Sequence, residues 1–174
     1  MMAVMFANPH DTIFVAEGTY YPQMGTVSGI WYQTYNCSAN GTMAYNTICI
    51  DSPKNGIKII GQNPETTIIN GGDCVGPNCA VIYLGSGVNN QTEIIGLTLE
   101  NGSQGFRSTT GASATLKNLI IRNNDYYNNT PYLTGGAGIS ISGTMPNEMI
   151  IEDVIIHDNT SLGKGGGFVF HSNN

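Results

Sequence analysis

The chain has 174 residues, which is enough for one domain with a substantial core. Charged residues make up only 10% of it, against about 25% in an average soluble domain, and the formal net charge is −6. This acidic balance argues against a nucleic-acid partner and against an anionic membrane surface, since both require a basic patch. No run of about 20 apolar residues exists, so we predict no membrane span.

In chain order, the first predicted β-strand lies in NPHDTIFVAEGTYY, residues 8–21. Residues 22–53 are predicted to form a loop insertion. GIKIIGQNPETTIINGG (residues 56–72) then contains two short β-branched runs, and AVIYLGSG (residues 80–87) contains a third. No helical period of 3.6 residues extends beyond a few residues. The sequence therefore predicts an all-β chain.

Three later segments align with one another as a repeat. Each has a small or polar residue, an apolar–x–apolar triplet and then a pair of polar or Gly residues: IIGLTLENG (94–102), LKNLIIRNN (116–124) and IEDVIIHDN (151–159). A weaker repeat lies between them: AVIYLGSG, GFRSTTG (105–111), GGAGISISG (135–143) and GGGFVFHSN (165–173). Short strands with polar corners predict a solenoid in which each strand stacks on its counterpart in the next coil as a parallel ladder.

NPHDTIFVAEGTYY, the IIGLTLENG type of segment and the Gly-Gly strand starts resemble the right-handed parallel β-helix of the pectin-lyase-like superfamily. The Gly-Gly starts are more similar to the repeats of polymorphic outer membrane proteins and other surface β-helices than to pectin-degrading enzymes. The resemblance covers nearly the whole chain except the insertion. It implies a single β-helix domain over residues 1–174, with about five or six coils. It implies little about function, because this fold hosts lyases, hydrolases, adhesins and structural proteins.

Side-chain alternation predicts which residues face the interior of the solenoid. One interior column should contain Leu97, Leu119 and Val154. Its neighbour should contain Leu99, Ile121 and Ile156. The same alternation places three polar residues at an inward-facing corner, where stacked amides can hydrogen-bond from coil to coil: Asn101, Asn123 and Asp158.

The same alternation predicts an external column of Glu100, Arg122 and His157. One interpretation is a carbohydrate cleft with an acid, a base and a cation. The favoured interpretation is an exposed ion pair beside a solvated His, worth about 0–1 kcal/mol. The sequence shows no carboxylate cluster of the kind that Ca²⁺ binding or glycoside hydrolysis requires. We therefore predict no catalytic residue, no bound metal and no cofactor.

Cysteines and sequons indicate secretion. Four cysteines, Cys37, Cys49, Cys74 and Cys79, form no C-x-x-C pair and allow three disulfide pairings. N-x-S/T sequons begin at Asn36, Asn40, Asn90, Asn101, Asn128 and Asn159. Alternation points Asn101 inward and Asn159 outward, and the other four lie in predicted loops, so glycans are expected on most of these five and not on Asn101. An extracellular or cell-surface glycoprotein is predicted, and its leader peptide is expected to be missing from this chain.

Aromatic residues concentrate in two polar segments. Trp31, Tyr32 and Tyr35 lie in the insertion, and Tyr126 and Tyr127 lie in NNDYYNNTPYL. Flat rings beside polar loops suit contact with a sugar. The alternative, which we favour, is that these loops pack over the side of the β-helix or cover one of its ends.

Two classes of function fit this sequence. The favoured class is a non-enzymatic structural or adhesive glycoprotein, a rigid scaffold that carries glycans. The alternative is a carbohydrate-active enzyme, either a polysaccharide lyase or a glycoside hydrolase. Only HSNN follows Phe170, which leaves no polar cap for the last coil. We expect a fragment of a longer chain, or copies that stack head-to-tail through Phe168 to Phe170 and Thr12 to Ala16 of the next copy.

Overall fold

A computed structural model describes residues 2–22, 24–27, 30–33, 47–72, 79–109, 111–127, 136–143, 148–162 and 165–171. The predicted all-β class is confirmed for these residues. Their only helical elements are one turn, α1 (Met2–Phe6), and a 3₁₀ helix at Ser52–Lys54. Neither approaches the length that a bilayer crossing requires.

The strands follow one another in five successive passes of the chain. The first pass contains β1 (Thr12–Val15), β2 (Gly18–Tyr20), β3 (Met24–Val27), β4 (Ile30–Gln33) and β5 (Ile48–Ile50). The second contains β6 (Lys58–Gly61), β7 (Thr67–Asn70) and β8 (Ala80–Leu84), and the third contains β9 (Glu93–Ile95), β10 (Thr98–Glu100) and β11 (Gln104–Ser108). The fourth contains β12 (Ala114–Arg122), β13 (Asp125–Tyr126) and β14 (Ile139–Ser142). The fifth contains β15 (Met149–His157), β16 (Thr160–Ser161) and β17 (Phe168–His171).

Each strand outside the antiparallel β3–β4 hairpin pairs in parallel with its counterpart in a neighbouring pass. The first half of the large sheet runs β1–β6–β9–β12–β15, and the second half runs β2–β7–β10–β12–β15. The long strands β12 and β15 belong to both halves. A further sheet runs β5–β8–β11–β14–β17, and β13 pairs with β16 at a corner. The arrangement is therefore parallel and solenoid-like.

Left-handed residues explain the aligned positions of the repeat. The residue before each apolar triplet has a positive φ: 68° at Gly96, 51° at Asn118 and 53° at Asp153. A second set follows the triplets, with 56° at Asn101, 54° at Asn123 and 52° at Asp158. Gly, Asn and Asp are the residues that tolerate this conformation. They redirect the chain at both ends of the second half-sheet.

The two predicted interior columns are confirmed by the register. In one column, Leu99 pairs with Ile121, and Ile121 pairs with Ile156. In the other, Leu119 pairs with Val154. Leu97 lies beside Leu119, because the next residues, Thr98 and Ile120, pair with each other. The four members from the third and fourth passes are at most 1% exposed. Val154 and Ile156 are only partly buried, because they lie in the fifth pass, which pairs with a described strand on one side only.

The Gly-rich strand starts reflect a close approach between sheets. Gly105, Gly138 and Gly167 lie at the beginning of β11, β14 and β17, on the side of Ile121 and Ile156. A Cβ on Gly138 would stand 2.8 Å from Ile156 Cγ2 and would also collide with the carbonyl oxygen of Gly167. A side chain at Gly105 or Gly138 therefore has no room.

The insertion is shorter than predicted. β3 and β4 form a hairpin within residues 22–53, as expected for an excursion from the stack. β5, however, also lies within these residues, and its Ile48 and Ile50 pair with Ile82 and Leu84 of β8. The alternating pattern Ile-x-Ile is too short to separate from a loop by sequence alone. The insertion consequently ends before Ile48.

The two ends of the stack are built differently. At the N-terminal end, α1 is a single turn that contacts the core through Val4, which is 5% exposed. At the other end, Phe168 and Phe170 continue interior columns yet remain 46% and 48% exposed. Among the described residues, no element covers this C-terminal end.

Candidate functional site

The external column on the second half-sheet is the candidate site. The register places Glu100 beside Arg122 and Arg122 beside His157, which confirms the predicted column. Asn70 extends it by one pass, because Asn70 pairs with Glu100. Sequence reasoning missed Asn70, because the aligned repeat began at residue 94, although Gly71 and Gly72 follow TIIN as a Gly pair.

Hydrogen bonds occupy both carboxylate oxygens of Glu100. Oε2 accepts from Arg122 Nε at 3.0 Å, and Oε1 accepts from Asn70 Nδ2 at 3.3 Å. The side chain of Glu100 is 13% exposed and that of Arg122 is 28% exposed. Glu100 is thus a partly buried acceptor that joins three passes, and both of its carboxylate oxygens have a protein donor.

His157 lies apart from this ion pair in its bonding. Its Nδ1 is 2.7 Å from Asp158 Oδ2, and both side chains are exposed. Within the described part of the chain, no hydrogen bond links His157 to Glu100 or Arg122. The acid, the base and the cation of the column therefore do not form one connected group.

Two further ion pairs join consecutive passes on the first half-sheet. Lys58 Nζ lies 2.6 Å from Glu93 Oε1, and Lys117 Nζ lies 3.0 Å from Glu152 Oε2. The hydrogen bond from Lys117 to Glu152, together with the charge of that carboxylate, raises the pKa of Lys117. These side chains are solvated, so the pairs contribute little to stability.

The polar stack at the corner is displaced by one residue from its predicted position. Asn124, which is 1% exposed, accepts at Oδ1 from the Gly102 backbone N–H at 3.0 Å and donates from Nδ2 to Asn159 Oδ1 at 2.9 Å. The same Nδ2 reaches the Leu99 carbonyl oxygen of the preceding pass at 3.2 Å. The corner is therefore crossed by an asparagine ladder of Asn124 and Asn159.

The prediction that Asn101, Asn123 and Asp158 point inward is wrong. Asn123 and Asp158 are exposed and Asn101 is partly exposed, so an inward orientation no longer excludes a glycan at Asn101. Their left-handed φ interrupts the alternation, so the next residue turns inward instead. The second residue of each polar pair, in RNN and HDN, was the signal for the ladder.

Asn159 therefore does not face outward as expected. Its Nδ2 donates to the Ile121 carbonyl at 2.8 Å and to the His157 carbonyl at 2.9 Å. A glycan on this nitrogen replaces one of its two hydrogens, which disfavours glycosylation in the folded state. Asn90 differs, because it is exposed and its Nδ2 contacts Glu148 Oε2 at 2.8 Å. The sequons at Asn36, Asn40 and Asn128 lie outside the described residues.

The aromatic candidates for sugar contact are not equivalent. Tyr127 is 49% exposed, whereas Tyr126 is 3% exposed because β13 packs it into the corner beside β16. Tyr126 consequently offers no ring face to a ligand. Trp31 and Tyr32 lie in β4, and Tyr35 lies outside the described residues.

The register excludes one of the three disulfide pairings. Cys49 and Cys79 are both disulfide-bonded. Cys49 pairs with Tyr83 across the ladder. Cys79 lies four residues before Tyr83, so the Cα atoms of Cys79 and Tyr83 are separated by about 13 Å along the extended chain. A disulfide requires Cα atoms within about 7 Å. Cys49 and Cys79 therefore do not bond to each other, and the choice between the remaining pairings with Cys37 and Cys74 involves residues outside those described.

The described residues contain no group of three or more His, Cys, Asp or Glu side chains placed to hold a metal ion. The chain matches no protein-family model, no curated protein and no solved structure. Any assignment of superfamily or activity consequently depends on the repeat and on the geometry of the chain itself.

Proposed function

We propose that this chain is a right-handed parallel β-helix of the pectin-lyase-like type and serves as a rigid structural or adhesive scaffold outside the cell. The observation that carries the proposal is the shared register of five passes, whose interior columns run through the described core. Parallel crossover connections are right-handed in nearly all known sheets. A crystal structure showing left-handed coils would contradict this assignment of fold.

The polar side chains on its faces support a scaffold more than an enzyme. Glu100 is bonded to Asn70 and Arg122, and the pairs Lys58–Glu93 and Lys117–Glu152 also connect neighbouring passes. Each of these three glutamates is thereby joined to a neighbouring pass of the stack. Glycosidase chemistry instead needs two carboxyl groups on either side of a bound sugar.

A panel of neutral and acidic polysaccharides tests this proposal against the enzymatic alternative. We expect binding without new reducing ends and without unsaturated products. The enzymatic alternative would be established if the wild-type chain releases such products, Glu100→Gln does not, and the matched control Glu93→Gln still does. If neither binding nor cleavage occurs, the adhesive role is removed and the structural role remains.

We also propose that the extracellular scaffold carries N-linked glycans on Asn36, Asn40, Asn90 and Asn128. The geometry of Asn159 removes it from this group, because both of its Nδ2 hydrogens are already donated. Glycopeptide mass spectrometry of material secreted from eukaryotic cells measures occupancy at each site. High occupancy at Asn159 would be incompatible with the asparagine ladder, and an unmodified secreted chain would contradict the glycoprotein proposal.

A further inference from the structure

The N-terminal end of the stack is covered by a very small element. Val4 of α1 is 5% exposed and packs beside Ile13 and Ile48, which line an apolar cleft of about 250 Å³ together with it. Of the α1 residues whose exposure is described, Val4 alone is buried, while Phe6 is 77% exposed. A five-residue helix is not stable by itself. Among the described side chains of α1, Val4 is therefore the one that holds the helix to the core.

The C-terminal end of the stack, which no described element covers, has the register needed to pair with the N-terminal end of another copy. Three inward residues of the fifth pass continue columns that start in the first: Ile151 follows Ile13, Phe168 follows Ile48 and Phe170 follows Ile50. The same pairing that joins two consecutive passes can accordingly join the fifth pass of one copy to the first pass of another. Their exposed fractions are 39%, 46% and 48%, so apolar surface is available for that contact.

At three outward positions of this contact, no like charges meet. In the same register, the outward residues Ile150, Glu152 and Ile155 of one copy meet those of the next: Thr12, Phe14 and Thr19. These three first-pass residues are uncharged, so Glu152 encounters no like charge at its register position. A second copy of this chain is the occupant that the register fits.

Val4 lies where the interior side chains of that second copy must stand. It packs against the two columns, of Ile13 and Ile48, to which Ile151 and Phe168 of the incoming copy would be added. We propose that α1 is a displaceable cap that blocks head-to-tail addition of a second copy. This inference rests on the proposed scaffold function and adds a control on its assembly.

The test compares the 174-residue chain carrying Val4→Asp with a matched control, Phe6→Asp. Both variants add one negative charge to α1, but only the first removes the buried contact. Multi-angle light scattering over a concentration series, with electron microscopy of the same samples, measures assembly. We expect Val4→Asp to form linear assemblies at a concentration at least tenfold below that required by the wild type, and Phe6→Asp to behave as the wild type does.

A third variant identifies the contact. Phe168→Asp added to Val4→Asp places a charge in the C-terminal end and should return the chain to a monomer. Assembly that persists in this double variant would be non-specific aggregation and would overturn the inference. Wild type that assembles as readily as Val4→Asp would overturn the cap while leaving head-to-tail stacking intact.

Folding of each variant is checked by circular dichroism. If Val4→Asp does not fold, a chain lacking residues 1–7 replaces it in the same comparison. A folded variant that stays monomeric across the series would overturn the cap, whereas the scaffold function would still be judged by the polysaccharide panel. If both variants fail to fold, α1 is part of the folding unit and the cap is likewise overturned.

Discussion

Asn123 and Asn124 are adjacent and chemically identical, yet the backbone gives them opposite roles. Asn123 has a φ of 54° and is exposed, while Asn124 is 1% exposed and bonds to the passes on both sides of it. The left-handed residue turns the chain, and the residue after it supplies the amide. Each depends on the other, because the amide enters the interior only after the turn.

Replacing Asn124 with Ala should be strongly destabilising. It removes a side chain that bonds to Gly102, Asn159 and Leu99, and it leaves buried polar groups without partners. We expect a loss of about 3 kcal/mol in the free energy of unfolding, measured by urea denaturation. Asn123→Gly is the control, since Gly keeps the positive φ, and it should change stability by less than about 0.5 kcal/mol. A larger loss in the control than in Asn124→Ala would refute the ladder.

Two buried hydroxyl groups differ in whether they have a hydrogen-bond partner. Ser108 is fully buried between Leu84 and Ile141, and its Oγ has no partner among the described residues. Thr98 is equally buried, but its Oγ1 donates to the Pro64 carbonyl at 2.6 Å. Ser108→Ala should therefore stabilise the protein by about 1 kcal/mol, and Thr98→Val should destabilise it by about 1 kcal/mol. Thermal or urea unfolding of the two variants distinguishes these signs, and equal losses would show that Ser108 has a partner.

At the scale of strands, alternation succeeded inside each triplet and failed at its ends. Leu99 and Ile121 face the core as predicted, because they lie within regular strands where the period is two. Asn101 does not, because a single left-handed residue shifts the alternation by one. The strand β5 was missed for another reason, since three residues carry too little pattern to be distinguished from a loop. Sequence therefore predicts the columns and the external ion pair, but not the corners.

The Gly strand starts give a test at this scale. A Cβ at Gly138 would meet Ile156 Cγ2 at 2.8 Å as well as the backbone of Gly167. At Gly167, one pass later in the same column, the nearest atom would be Ile156 Cγ2 at 3.7 Å. Gly138→Ala should cost about 1–3 kcal/mol, whereas Gly167→Ala should cost less than about 0.5 kcal/mol. Comparable losses at both positions in urea unfolding would indicate that another strand packs over Gly167.

For the whole molecule, contacts run mainly between neighbouring passes, so stability is expected to vary along the stack. A middle pass is bonded on two sides, and an end pass is bonded on one. In such quasi-one-dimensional folds, each pass is stabilised by its nearest neighbours. The two ends should nevertheless differ, because Val4 packs against the first pass whereas Phe168 and Phe170 of the fifth remain half exposed.

Hydrogen exchange followed by mass spectrometry measures this gradient directly. Amides of β10 and β12 should exchange most slowly, because they lie between paired strands, and those of β17 should exchange fastest, because fraying begins at an uncovered end. The exchange rate of β1 should be intermediate. In Val4→Asp, at a concentration where that variant is still monomeric, β1 should exchange as fast as β17. Equal protection of β17 and β10 in the wild type would contradict the open end, since it would require a further coil or a second copy to pair with the outer edge of β17.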